Sequence, residues 1–154
     1  MKPSKHHTVA NVASLYDEDF FVWTQRTAEV LRAGRFDEVD IEHAAEEIED
    51  IGKRDLKELN SRMQVLLMHL LKWLLQRDKR SPSWQASIVT QRIEIAAILD
   101  QSPSLQARLE GELPANYIRA VRRAAPETGL RKEQFPAECP FTMKQILDEN
   151  FLPE

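Results

Sequence analysis

The sequence predicts an all-α fold, a single-domain antiparallel helical bundle with one long central helix and a short terminal helix. Three observations predict it. Apolar residues recur every three or four positions over long stretches, the 154 residues include only 4 glycines, and no run alternates apolar and polar side chains as a half-buried strand does. The length suits one domain, which we place at residues 15–154 after a flexible N-terminal tail at 1–14.

The first helix is predicted from about Asp17 to Ala33, because acidic residues at its start are stabilised by the helix dipole and Gly34 is a typical C-terminal stop. The long helix is predicted from Asp40 to about Gln76. An apolar seam with steps of three or four residues runs along it: Ile41, Ala45, Ile48, Gly52, Leu56, Leu59, Met63, Leu66, Leu70 and Trp73.

Gly52 lies on this seam and has two interpretations. It either divides the element into two helices or lets a neighbouring helix or ring approach closely. We favour one long helix of roughly 55 Å at 1.5 Å per residue.

Two further helices have the same start signal. Ser81-Pro82 is typical of an N-cap followed by proline in the first turn, and Ser102-Pro103 repeats it. We expect Pro114 to kink or split the later helix, and Pro126 with Gly129 to end it.

Thr142 and Gln145 have the spacing of a capping box, which predicts a last short helix to about Asn150. Short connections between long amphipathic helices predict antiparallel neighbours. Three leucines of the long helix lie off its inner seam and need a second covering surface, which another helix or a partner chain would provide: Leu67, Leu71 and Leu74.

Composition excludes several classes of protein. A net charge of -4 makes general nucleic-acid binding unlikely, although Arg119, Arg122 and Arg123 would touch phosphate if they are not simply a solvated face. The single cysteine, Cys139, excludes an internal disulfide and a four-cysteine zinc site. No apolar run is long enough to span a bilayer and no signal peptide is evident, so we expect a cytoplasmic protein that does not enter the membrane.

The acidic stretch around His43 is the nearest approach to a metal-binding pattern. Bundles that bind two metal ions use Glu-x-x-His pairs, whereas this chain has only Asp40-x-x-His43. Glu42, Glu46 and Glu49 project outward on a helical wheel, which favours a solvated face. We therefore expect no metal site and no cofactor.

Asp55, Arg62 and His69 follow one another by seven residues and form a polar row on the apolar side of the long helix. One interpretation is a pocket in which His69 exchanges protons near neutral pH and arginines bind an anionic group. The other is a structural network that fixes helix register. No catalytic residue follows from either. The candidate ligand-binding cluster adds residues of the neighbouring helix and turn: Asp55, Arg62, His69, Trp73, Trp84 and Arg92.

Several motifs resemble the bacterial family called "domain of unknown function 29". They include Tyr16-Asp17-Glu18-Asp19-Phe20, Trp23-Thr24, Glu46-Glu47-Ile48-Glu49, His69-Leu70-Leu71-Lys72-Trp73, Gln91-Arg92 and Ser102-Pro103-Ser104-Leu105. The resemblance covers nearly everything from Leu15 to Pro153, with specific order and spacing. It implies a bacterial, helical, single-domain protein and no activity, because the family has no assigned biochemical role.

These observations favour a non-catalytic interaction or regulatory module, with a protein partner or self-association as its mode of action. The alternative is a small anionic-ligand-binding protein or enzyme centred on His69, Arg62 and Arg92. A pocket that holds those groups would support the alternative, and a dry seam with every donor satisfied would reject it.

Overall fold

The structure is a computed structural model that describes the backbone of residues 9–154 and the side chains from Ser14 onward. The described chain contains helices and no strand. Seven α-helices lie within it: α1 (Val9–Glu18), α2 (Phe20–Arg32), α3 (Ile41–Leu75), α4 (Pro82–Gln101), α5 (Leu105–Gly111), α6 (Leu113–Thr128) and α7 (Met143–Leu147). The predicted all-α fold, long helix and short terminal helix are confirmed.

The predicted tail is described only in part. Residues 1–8 lie outside the described residues, and from Val9 onward the backbone is helical. The chain divides into two compact units, one that ends at Lys53 and one that begins at Arg54. The single domain at residues 15–154 stays a prediction.

In the N-terminal unit, α2 begins later than predicted. The Asp19 carboxylate accepts a hydrogen bond from the Val22 amide at 3.0 Å, and this N-cap fixes the start of α2 at Phe20. Gly34 has a φ of 71°, the left-handed conformation that favours glycine after a helix. Trp23 and Val30 are buried on the inner side of α2.

The C-terminal unit holds the larger core, built around the second part of α3. Its buried side chains include Leu59, Met63, Leu66, Leu70, Ile88, Ile95, Leu109, Ala120 and Ile146. Leu67 and Leu71 are also fully buried, and Leu74 is partly buried against the same core. The unit itself therefore covers these leucines, and they no longer argue for a partner chain.

The helix boundaries of this unit follow the predicted signals except at Ser102-Pro103 and Pro126. The helix predicted to start at Ser102-Pro103 begins at Leu105, and its N-cap residue Ser104 makes no side-chain capping bond. The Ser81 hydroxyl accepts from the Trp84 amide at 3.3 Å, and α5 gives way to α6 just before Pro114. Pro126 and Gly129 were predicted to end the run together. The part concerning Pro126 was wrong, because α6 continues through it to Thr128, whereas Gly129 caps the helix with a φ of 72°. A proline removes one backbone donor, and the buried Ala124 and Thr128 on either side keep the helix packed.

The terminal helix has the predicted capping box. The Thr142 hydroxyl accepts from the Gln145 amide, and the Gln145 side chain accepts from the Thr142 amide. The helix ends at Leu147 instead of near Asn150.

Candidate functional site

Arg62 of the predicted polar row is held by carboxylates. Its Nε and Nη2 donate to Glu58 Oε1 at 2.9 and 2.7 Å, and Nη2 lies 3.5 Å from Glu94 Oε2 on α4. Its charge is thus already matched by two carboxylates. His69 donates from Nδ1 to the Val65 carbonyl at 2.9 Å, one helical turn earlier.

Arg92 is buried and anchors the terminal helix. Its Nε donates to the Ile146 carbonyl at 2.8 Å and its Nη2 to the Gln145 carbonyl at 3.4 Å. These carbonyls lie near the C-terminal end of α7, where the helix itself supplies no donors. Burial lowers the pKa of Arg92, and the charge of Asp148 opposes that shift.

The two tryptophans contact different cations. The Arg80 guanidinium lies 5.0 Å from the ring centroid of Trp73, and it donates to the carbonyls of Trp73 and Pro153 at 2.9 and 3.2 Å. Lys72 Nζ lies 4.6 Å from the ring centroid of Trp84. The candidate residues therefore serve several separate contacts that hold helices and chain ends together. That they also bind a ligand stays a prediction.

Two open cavities of the C-terminal unit are lined by other residues. One, of about 420 Å³, is lined by Gln106, Glu110, Met143, Lys144, Leu147 and Asp148. The other, of about 340 Å³, includes Tyr117, Ile118, Val121, Arg122, Lys132 and Phe135. Arg122 is the one residue of the basic group Arg119, Arg122 and Arg123 at this cavity, and all three side chains are exposed.

The sequence analysis did not predict a hydrogen-bonded network of buried amide side chains between α3 and α6. Asn116 Nδ2 donates to Asn60 Oδ1 at 2.7 Å, Gln64 Nε2 donates to Asn116 Oδ1 at 3.0 Å, and Asn60 Nδ2 donates to Glu112 Oε2 at 2.6 Å. Asn60 and Gln64 are four residues apart beside the apolar seam, which was the available signal. Such a network satisfies its own donors and fixes the register of two helices.

In the N-terminal unit, Tyr16 of α1 is the centre of a polar and aromatic cluster on α3. Its hydroxyl donates to Glu47 Oε1 at 2.7 Å, and its ring stacks on His43 with 3.9 Å between centroids. His43 Nδ1 donates to Asp40 Oδ2 at 2.6 Å. The hydrogen bond to Glu47 raises the pKa of Tyr16 to about 12, and the hydrogen bond to Asp40 raises the pKa of His43.

This cluster determines which face of α3 meets α1. Asp40, His43 and Glu47 are spaced by three and four residues and share one side of the helix. Asp40-x-x-His43 was visible in the sequence, but its stacking partner Tyr16 lies 27 positions earlier and no local pattern joins them.

The opposite face of α3 carries the start of the apolar seam. At 100° per residue, Ile41, Ala45, Ile48 and Gly52 (the apolar ridge) point away from the face that contacts Tyr16. Ile41 and Ile48 are 69% and 70% exposed. No atom lies within 4 Å of a Cβ added at Gly52, and α3 is continuous there. Gly52 therefore does not divide the helix, and no described residue packs closely against it.

A row of carboxylates lies beside the apolar ridge. Glu42, Glu46 and Glu49 (the acidic ridge) each follow a ridge residue by one position and are exposed. Lys53 Nζ lies 3.6 Å from Glu49 and 3.0 Å from Asp50 in an exposed ion pair. The exposure of Glu42, Glu46 and Glu49 confirms the prediction that they project outward.

Exposed apolar side chains are concentrated in the N-terminal unit. Of eleven large hydrophobic residues exposed among the described side chains, eight precede Arg54: Phe20, Phe21, Val22, Leu31, Phe36, Ile41, Ile48 and Ile51. The other three are Val89, Ile93 and Ile118. Exposed apolar patches mark interaction sites, whereas single exposed apolar residues are ordinary.

The described part of the chain has neither a membrane-spanning helix nor a cluster of metal-binding side chains. From Val9 to the end, no helix has the length and apolar content needed to cross a membrane. Nor do three His, Cys, Asp or Glu side chains come together there in an arrangement that could hold a metal ion.

Comparison with known proteins gives one match. A family model described as domain of unknown function DUF29 matches residues 15–152 of the chain. Neither a curated protein nor a solved structure matches this chain.

Proposed function

The chain belongs to the DUF29 family, and on that premise we propose that it is a non-catalytic protein-interaction module whose docking surface lies in the N-terminal unit. The description of the family names no activity, so the proposal is argued from the structure of this chain. The observation that carries it is the exposure of the apolar ridge on α3.

The ridge has the features of a helix-docking surface. A residue of the ridge appears on the same side of α3 at every turn, which is how helices present anchors to a partner helix. Ile41 and Ile48 are far more exposed than the isoleucines of the core, and the side of α3 that holds α1 in place is the opposite one. Binding a partner would remove this apolar area from water.

The polar side chains of the candidate ligand-binding cluster also favour an interaction module over an enzyme. Arg62, His69 and Arg92 each bond to a protein acceptor. The bond of Arg92 joins two helices, and the other two lie within α3. A site for an anionic ligand needs donors aimed into a cavity.

Site-specific photocrosslinking in the native cells tests the proposal. The chain would carry p-benzoylphenylalanine in place of Ile48 in one strain and in place of Ile93 in another. Ile93 is the matched control, since it is an isoleucine on a helix of the C-terminal unit and is 61% exposed. We expect discrete protein adducts at position 48 and none at position 93.

Two results would contradict the proposal. Irradiation that gives no adduct at position 48 would leave the ridge without a partner. Equal adducts at both positions would mean that exposure alone determines the labelling.

A further inference from the structure

We infer that the partner is a cationic amphipathic helix, with one apolar face and lysine or arginine beside it, which docks along the apolar ridge of α3. This inference rests on the proposed function and specifies the chemistry of the partner. It follows from the shape of the ridge and from the charge around it.

The shape of the ridge suits a helix. From Ile41 to Gly52 the ridge spans three turns, about 16 Å at 1.5 Å per residue. Small residues, Ala45 and Gly52, alternate with the two isoleucines, and the space above Gly52 is open. Large side chains of a second helix fit over small positions, as knobs fit into holes where two helices pack.

The charge around the ridge is mostly negative, and Lys53 at its C-terminal end is paired with Glu49 and Asp50. Between Phe36 and Gly52 the chain has eight carboxylates and no lysine or arginine. The helix dipole accounts for acidic residues in the first turn of α3, such as Glu42, but its effect fades beyond that turn. Glu46 and Glu49 lie beyond that turn, and Glu49 also pairs with Lys53 four residues later. Exposed carboxylates beside an apolar ridge select a partner with cationic flanks, as flanking charges do in paired helices.

The same charge disfavours a second copy of this chain on the ridge. Residues 14–53 have twelve acidic and four basic side chains, a net charge of -8. A symmetric pair would bring two such surfaces together, and like charges that face each other across an interface oppose binding. Residues 54–154 have thirteen acidic and fifteen basic side chains, a net charge of +2, so the negative charge belongs to the N-terminal unit. An anionic lipid surface is repelled for the same reason.

Binding of designed peptides to the full chain tests the inference. Two fluorescein-labelled peptides of about 20 residues, long enough to form a helix, would share one leucine face and carry either lysine or glutamate beside it. We expect fluorescence anisotropy to give at least about tenfold tighter binding of the lysine peptide, since its charges complement the acidic ridge. Added salt should narrow this difference, because the charges are exposed and screened.

Variants of the chain localise the binding. Ile48→Ser removes an anchor of the apolar ridge, and the triple change Glu42→Gln, Glu46→Gln and Glu49→Gln removes the acidic ridge. Each change should weaken the binding of the lysine peptide by about tenfold or more in dissociation constant, which corresponds to about 1.4 kcal/mol of binding free energy. Ile93→Ser, the matched control, should leave its affinity unchanged. Circular dichroism would verify that all variants keep the helical content of the parent chain.

The outcomes separate the partner chemistry from the proposed function. Equal affinity for the two peptides, or lysine-peptide binding that Ile48→Ser does not weaken, would overturn the cationic helix. So would sedimentation of the chain as a dimer that Ile48→Ser dissociates, because the occupant would then be a second copy. A crosslinked partner at position 48 with no basic helix would overturn the partner chemistry alone and keep the proposed function. Absence of any adduct there would reject both.

Discussion

The two halves of α3 carry the same apolar seam, but within the described part of the chain only the second half is buried. Before Lys53 the seam is the apolar ridge, with Ile41 and Ile48 open to solvent. From Leu59 to Leu70 the same spacing leads to residues that are fully buried. Helical periodicity therefore tells which side of a helix is apolar, and it does not tell whether the same chain covers that side.

Polar side chains show the same contrast. In the C-terminal unit, Asn60, Gln64 and Asn116 are buried and bonded to one another. In the N-terminal unit, the acidic ridge is exposed along the apolar ridge. One polar arrangement fixes two helices of the chain in register, and the other stays available to a partner.

The largest expected effect comes from truncating one seam residue in each half. Leu66→Ala should lower the free energy of unfolding by about 2–5 kcal/mol, because it leaves a cavity in a fully packed core. Ile48→Ala, the matched change on the exposed half, should alter it by no more than about 0.5 kcal/mol. Urea denaturation followed by circular dichroism measures both. Similar losses for the two variants would contradict the contrast.

A smaller effect is expected from the buried amides. Asn116→Ala would leave polar groups of Asn60 and Gln64 without their partner, which should cost about 1–3 kcal/mol in urea denaturation. Gln85→Ala, on the exposed surface of α4, is the control and should change stability by less than about 0.5 kcal/mol. If the two variants were equally stable, the network of buried amides would contribute nothing to the free energy of unfolding.

The smallest effect is a pH dependence in the N-terminal unit. The hydrogen bond to Asp40 raises the folded-state pKa of His43 above its ordinary value of 6.5, an effect that partial burial opposes and that Asp40, Glu46 and Asp17 increase by their charge. The protonated form therefore stabilises the fold. This contribution is complete below about pH 6.5 and is lost as the pH rises through the raised folded-state pKa.

Thermal melts from pH 5 to 9 measure this dependence. The melting temperature of the parent chain should exceed that of His43→Gln most at pH 5, and the difference should shrink towards pH 9. In an Asp40→Asn background the pH dependence should largely disappear, because the main cause of the shift has been removed. A difference that stays constant over the whole range would show that protonation of His43 is not linked to folding.

Much of the fold could be predicted because its signals are local. Ser81 and Thr142 cap helices through bonds to amides three residues later, and Gly34 and Gly129 end helices with positive φ. The candidate site was less predictable. Arg92 was identified beside apolar neighbours, but its acceptors lie 53 and 54 residues later, in an element with no sequence signal for that contact.

The sequence by itself determined the helical class, the length of α3, several helix boundaries and the apolar seam of α3. These properties depend on neighbours within one or two turns, so spacing and capping residues suffice to specify them. Only the tertiary structure decided that Leu67 and Leu71 are covered within the chain and that Ile41 and Ile48 are not. Burial depends on which distant segments of the chain meet. Asn60 and Glu112, for example, are bonded although they lie 52 positions apart. The spacing of residues along the sequence does not tell which such segments are close in space.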